Sequence, residues 1–306
     1  MSKRDCEVLD PWIEGYLDYM RDVRKCATGT VRDMRCTFRR VVRWMSPKHP
    51  STPLWKLELR DYIHWIDAER TKNASAQTLA KALSHVRGLL EYSCRSERTD
   101  RNVLDGFTLQ DAQARIEPAC LTIAEAKTLV GACGKKTALE RRNRLIVLLL
   151  YGCGLRTNEL CGLDLSKVDV EAQEIEIKGK GEILRRIPVP DAVWVELLAH
   201  MTERGGKRGP LFRTQFKQRR IRGTDVGNIV GAMAQKAGLI KKVVPKMLRH
   251  SFGTHLIDRG VDVGVVAVLM GHRSPSETNV YLHSFDDRKR EAVDRLGRRD
   301  KGETAS

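Results

Sequence analysis

Apolar residues recur every three or four positions through most of the first hundred residues, and that spacing predicts helices. Leu9 to Tyr19 is a short amphipathic segment. From Thr30 the pattern strengthens: Val31, Met34, Phe38, Val41 and Met45 share one face, and Thr30 with Asp33 has the form of a capping box. Leu54 to Glu69 and Ala76 to Tyr92 read as two further helices, with Leu79, Leu83, Val86 and Leu90 on the buried side of the second. The chain then turns polar, and a linker is expected at residues 113–118, ending on Pro118.

Beyond the linker, Thr122 with Glu125 is a second capping box before an apolar helix. Arg141 to Leu150 is a helix whose end is apolar all round, which predicts a central position in the core, and Gly152-Cys153-Gly154 breaks it. Glu174 to Ile177 alternates like a strand, Gly179-Lys180-Gly181 is a turn, and Ile183 to Val189 is a return strand stopped by Pro188 and Pro190. After Pro210 the pattern is helical again. The expected fold is therefore mainly α with a small β-hairpin, in two domains, 1–112 and 119–299, with a polar tail at 300–306. A length of 306 residues agrees with two domains.

Charge narrows the partner class. The formal net charge is +16, divided as +4 up to residue 117 and +12 from residue 118 onward. A surplus of that size points to a polyanion, most plausibly nucleic acid; the alternative is a basic, highly soluble surface with no such partner. Arg32, Arg35, Arg39 and Arg43 lie at steps of three and four and form a basic stripe suited to tracking phosphates, with only Asp33 nearby in sequence to compensate. The alternative for the stripe is an ordinary solvated face.

The longest apolar run, Leu145 to Tyr151, is far short of a membrane span, and the first residues carry no apolar signal core. The expected compartment is the cytoplasm. The eight cysteines, Cys6, Cys26, Cys36, Cys94, Cys120, Cys133, Cys153 and Cys161, include no C-x-x-C pair and are expected to be free, mostly buried thiols; no metal is assigned.

Three segments carry the candidate chemistry: Gly154-Leu155-Arg156-Thr157-Asn158-Glu159-Leu160, Lys246-Met247-Leu248-Arg249-His250-Ser251-Phe252-Gly253-Thr254-His255-Leu256, and Leu269-Met270-Gly271-His272 continuing to Tyr281. Arg156 follows a glycine break after a buried helix, and Glu159 lies one turn on, on the same face. Pro245 is suited to start the helix bearing Arg249, with Phe252 and Leu256 on its buried face. Gly271 is suited to the left-handed residue ending a helix from Val263 to Met270. Ser274-Pro275-Ser276-Glu277 is a further capping box, which places Tyr281 about two turns into a short helix.

Together these boxes resemble the catalytic signature of the tyrosine recombinase (phage integrase) family, Xer-type recombinases included. The resemblance covers Pro118 to Leu296 and extends to the N-terminal helical region, which it identifies as a SAM-like core-DNA-binding domain. The boxes around Arg156, Arg249, His272 and Tyr281 stand in the family's order, with Arg249 to His272 and His272 to Tyr281 at its usual spacing. The resemblance implies a site-specific DNA recombinase in which Tyr281 attacks a phosphodiester, Arg156 and Arg249 hold the phosphate, His272 donates to it, Lys180 protonates the departing 5′ oxygen and Glu159 orients the site. It further implies that the two domains clamp duplex DNA bearing a specific recombination site. Four protomers would hold two such sites, and the protein would be nucleoid-associated. Neither ATP, metal nor other cofactor is implied, because the phosphotyrosine bond stores the energy.

The residue types suit that chemistry. Negative charge spreads over the non-bridging oxygens in the transition state, and arginine donates two parallel hydrogen bonds while staying charged. A free phenol has a pKa of roughly 10 and needs cationic neighbours or a base. A lysine needs a lowered pKa to act as an acid, which a cationic site supplies. Lys178 is the rival for Lys180. The position three before Arg249, usually histidine in the family, is Lys246: either it is partly neutral and takes the tyrosine proton, or it acts electrostatically and water takes it. His250 and His255 read as structural. The segment beyond Tyr281, with Phe285, Ala292, Val293 and Leu296, is expected to form a helix that docks on a neighbouring protomer. Two competitors are a non-catalytic DNA-binding protein on the same fold, opposed by the intact set of site residues, and a type IB topoisomerase, opposed by the compact size and the Xer-like boxes.

Overall fold

A computed structural model describes residues 9–109, 120–178, 184–206, 208–216 and 218–271. The chain divides into two compact units, with the division between Arg115 and Ile116.

The first unit is helical: α1 Pro11–Asp22, α2 Thr28–Met45, α3 Leu59–Arg70 and α4 Ala76–Arg95. The residues that set the helical spacing of α2, Val31, Met34, Phe38, Val41 and Met45, are all buried, and they meet Leu17, Trp65, Leu79 and Leu83 in one core. Two expectations are corrected. Helix α2 starts at Thr28 with Ala27 as its N-cap, so Thr30 is no cap; Asp33 instead pairs across to Lys81 of α4. The segment from Leu54 is not one helix. A 3-10 turn at Leu54–Lys56 ends in extended Leu57, and α3 begins afresh where the Asp61 carboxylate accepts the Glu58 backbone N–H at 3.0 Å.

The second unit contains α5 Ile123–Ala132, α6 Ala138–Gly152, α7 Thr157–Gly162, β1 Val168–Asp169, β2 Glu174–Lys178, β3 Leu184–Pro188, α8 Asp191–Arg204, α9 Gly223–Lys236, α10 Pro245–Asp258 and α11 Val263–Met270. The capping box of Thr122 and Glu125 is present, and Thr137 with Glu140 makes another at the start of α6. Leu145, Ile146, Val147, Leu149 and Leu150 are all buried, so α6 is the central element its apolar end predicts.

The two expected strands pair antiparallel, in a three-stranded sheet of order β1-β2-β3, while the turn expected at Gly179-Lys180-Gly181 lies outside the described residues. Its register pairs Ile175 with Ile187 and Ile177 with Arg185. The strand β1 has two residues, too few for alternation to reveal it. Pro188 lies within β3 rather than beyond it, as an edge strand permits. The cysteine expectation is also corrected: among the described cysteines, all free, only Cys133 and Cys153 are buried, and Cys36 is exposed. Burial pushes the Cys153 thiol up to about 12.

Gly154 is where the fold turns from α6 toward α7. Its φ is +62°, and an added Cβ would collide with the Phe252 ring on α10. Both constraints oppose any side chain. Gly154→Ala should therefore cost about 2–4 kcal/mol, from left-handed strain and overpacking together, read as a lowered urea midpoint with unchanged m.

Candidate active site

Four pieces of chain meet around the carboxylate of Glu159. The first is the start of α7. Arg156 is its N-cap, and its backbone N–H donates to Glu159 Oε2 at 2.8 Å while its Nη1 donates to Oε1 at 3.0 Å. The second is β3: Arg185 donates through Nη1 to Oε1 at 2.9 Å and through Nη2 to Oε2 at 2.8 Å, a bidentate pair. The third is α10, where Arg249 Nη1 lies 3.8 Å from Glu159 Oε2. The fourth is the end of α11: Arg156 Nη2 donates to the Gly271 carbonyl at 2.9 Å, and Arg249 Nη2 donates to the Met270 carbonyl.

The local sequence explains each position. Pro245 at the first helical position starts α10. Leu248 and Met247 are sunk in the main core, and Phe252 packs with Ile257, Val266 and Met270, so the helix cannot roll and Arg249 is aimed at Gly154, whose carbonyl accepts Nη1 at 2.5 Å. Ser251 and His255 fasten the other side of α10. The Leu121 N–H donates to Ser251 Oγ at 2.8 Å, and His255 Nε2 lies 2.8 Å from the Leu121 carbonyl. That carbonyl can only accept, so Nε2 carries the proton and Nδ1 accepts from the Tyr151 hydroxyl at 2.9 Å. His255 is structural, as expected. Gly271 is left-handed, φ +61° and ψ +48°, also as expected.

The electrostatics follow. The Glu159 side chain is 6% exposed and that of Arg249 is 10% exposed, whereas Arg156 is 36% exposed. Burial alone would raise the Glu159 carboxyl, but hydrogen bonds from Arg185 and from the Arg156 backbone outweigh it and hold the group below its ordinary range. One carboxylate thus orients three guanidinium groups, and two of them also clasp the backbone just before His272.

Of the residues singled out from sequence, Arg156, Glu159 and Arg249 come together. Lys246 is exposed, three residues before Arg249 and so on the same side of α10. Lys180, His272 and Tyr281 lie outside the described residues, as does the tail with Phe285, Ala292, Val293 and Leu296. Lys178 ends β2 and is exposed. Arg32, Arg35, Arg39 and Arg43 are on α2, in the first unit. Arg35 there pairs with Glu14 of α1, so Asp33 is not the stripe's only acid; the compensating group comes from another helix. Sequence reasoning missed Arg185. Its signal was parity: it lies two residues before buried Ile187, on the strand's inward face.

Comparison with known proteins gives the family. The profile of the phage integrase family matches residues 119–288, and that of the phage integrase N-terminal SAM-like domain matches residues 13–97. The chain is 32% identical over 287 residues to tyrosine recombinase XerD of Mycobacterium tuberculosis, covering 88% of this chain and 91% of that one. This chain belongs to the tyrosine recombinase family. Tyrosine recombinase XerA of Pyrococcus furiosus is 31% identical over 241 residues, covering 77% of this chain and 80% of that protein. The fold is that of the Tn1549 transposon integrase solved with transposon right end DNA, at a TM-score of 0.75 and 21% identity, covering 94% of this chain and 99% of that one. In this recombinase the two arginines singled out from the sequence, Arg156 and Arg249, both stand beside Glu159.

The depressed Glu159 carboxyl makes a pH-dependent contribution to stability. The unfolded chain takes up the proton first, near 4.5, so the contribution is complete above that pH and is lost as pH falls through the lower folded value. Other carboxylates titrate in the same window. The prediction is therefore a difference: between pH 6 and pH 3.5 the urea midpoint of the native protein falls further than that of Glu159→Gln. Parallel curves would contradict it.

Proposed function

We propose that this recombinase binds duplex DNA carrying a specific recombination site and exchanges strands through a 3′-phosphotyrosine intermediate. The observation that carries the reading is the convergence of Arg156 and Arg249 on one carboxylate and on the two successive carbonyls that precede His272. Residue 281 follows nine residues later. Nine residues span about 14 Å as a helix and at most about 32 Å extended, a length that permits the Tyr281 phenol to approach both guanidinium groups.

In this reading the Tyr281 oxygen attacks phosphorus, the P–O bond to the 5′ oxygen breaks, and Lys180 gives that oxygen its proton. Arg156, Arg249 and His272 donate to the non-bridging oxygens, where the charge grows. Lys246, exposed and one turn before Arg249, is a further phosphate ligand, with water taking the tyrosine proton. The 5′ hydroxyl of a partner strand then attacks the phosphotyrosine and restores a phosphodiester. Four protomers hold two sites, as the family's signature implies. The domains run over 1–112 and 119–299, joined at 113–118 and followed by a tail at 300–306; the division of the chain between Arg115 and Ile116 supports that linker. The protein works in the cytoplasm, at the nucleoid; among the described residues no helix is long and apolar enough to cross a membrane.

The decisive test uses a duplex selected by the protein from a randomised pool, nicked so that cleavage traps the complex, and run on a denaturing gel. The native protein should leave a covalent adduct and Tyr281→Phe none. An adduct that survives the substitution overturns the assignment of the nucleophile. Relaxation of any supercoiled plasmid without site preference would instead favour a topoisomerase.

The α2 stripe is the proposed phosphate-tracking face of the first unit. Arg32→Ala and Arg43→Ala should weaken binding uniformly across sequences and each reduce the slope of log K against log salt by about 1. Arg35→Ala should do less than Arg32→Ala, because Arg35 is already paired with Glu14. A salt slope unchanged in all three would remove the stripe from the interface.

A further inference from the structure

The strongest contact to Glu159 comes from Arg185. It meets the carboxylate through two parallel hydrogen bonds of 2.9 and 2.8 Å, while Arg156 gives one side-chain bond of 3.0 Å and Arg249 stands off at 3.8 Å. The Arg185 side chain is 13% exposed. It also lies against Gly271: a Cβ there would be 2.8 Å from Nη1 and 2.9 Å from Cζ. Arg185 therefore touches both the acid that orients the two other arginines and the glycine just before His272.

A buried carboxylate beside two phosphate-binding guanidinium groups has opposed effects. It orients them, and it also competes with the phosphate for their charge and their hydrogen bonds. A third guanidinium that takes both of its oxygens relieves the competition. We infer that Arg185 is a positioning residue for the phosphate site. It takes up the charge of Glu159, so that the carboxylate shapes Arg156 and Arg249 without neutralising them. The inference rests on the reading of Arg156 and Arg249 as phosphate ligands. Without Arg185, the charge of Glu159 falls on those two groups, and the transition state loses what they would have given it. Arg185 also ties β3, which follows Lys180 in the chain, to the start of α7.

Charge rescue separates this role from simple structural support. The first-order rate of adduct formation is measured at saturating DNA on the nicked duplex, with melting temperature and DNA affinity for every variant. Arg185→Gln should slow cleavage about 100-fold, a loss on the scale of one transition-state donor. Adding Glu159→Gln should recover about tenfold or more, because the competing charge is gone. A residue that only braces the fold gives no such recovery, since the double variant loses the same contacts. Cleavage by Arg185→Gln within about threefold of the native rate, or a double variant no faster than the single one, overturns the inference. If the glutamine variant does not fold, the decision passes to Arg185→Lys, which keeps the charge but not the bidentate pair. A slowing of about threefold or more supports the inference, and native speed overturns it. Arg249→Gln and Tyr281→Phe are run beside these. Native-rate cleavage by either sinks the parent reading itself, whereas their expected failure to cleave, with no charge rescue at position 185, sinks only the inference.

Discussion

The catalytic half of this protein depends on one buried carboxylate. Glu159 accepts from a bidentate guanidinium, a second guanidinium and a backbone N–H, and those donors come from the start of α7 and from β3, with α10 close by. Burying an acid costs several kcal/mol unless it is paired and hydrogen-bonded, and removing one partner of such a pair commonly costs about 3–5 kcal/mol. The arrangement is thus strongly coupled. Each element is held where it is because the others complete the shell of the same acid.

That coupling links packing to chemistry. Phe252 pressing on Gly154, and Leu248 in the main core, fix the angle from which Arg249 enters. The left-handed Gly271 turns the chain out of α11 so that the Met270 and Gly271 carbonyls face the two arginines. Residues that never meet DNA in this account decide where two positive charges stand, and the end of α11 is clasped at the point from which His272 follows.

Much of this was legible from residue order alone. Local signals were read most faithfully: α11 runs from Val263 to Met270 with Gly271 as its left-handed end, Pro245 opens α10, and Thr122 caps α5. Each of those depends on residues within one or two turns of each other. The failures share a different character. Leu57 interrupts what periodicity presents as one helix, because a 3-10 turn keeps apolar residues at similar spacing. Glu14 reaches Arg35 and Lys81 reaches Asp33 across helices, so neither pair shows as a sequence pattern. Arg185 was hidden for the same reason. Its partner lies 26 residues earlier, and an arginine at an inward strand position gives no hint of which acid awaits it. The pairing of Glu159 with Arg156, three residues apart, was visible; that its main partner is on a strand was not.

In the proposed reaction both guanidinium groups and residue 281 serve a single phosphorus centre. The structure of Tyr281→Phe bound to an intact, self-selected duplex decides the point. One backbone phosphate should lie within hydrogen-bond distance of both Arg156 and Arg249, with the ring of residue 281 on the side opposite the 5′ oxygen of that phosphate. A duplex whose nearest phosphates meet neither arginine, or a residue 281 walled off from the phosphate that they hold, would contradict it.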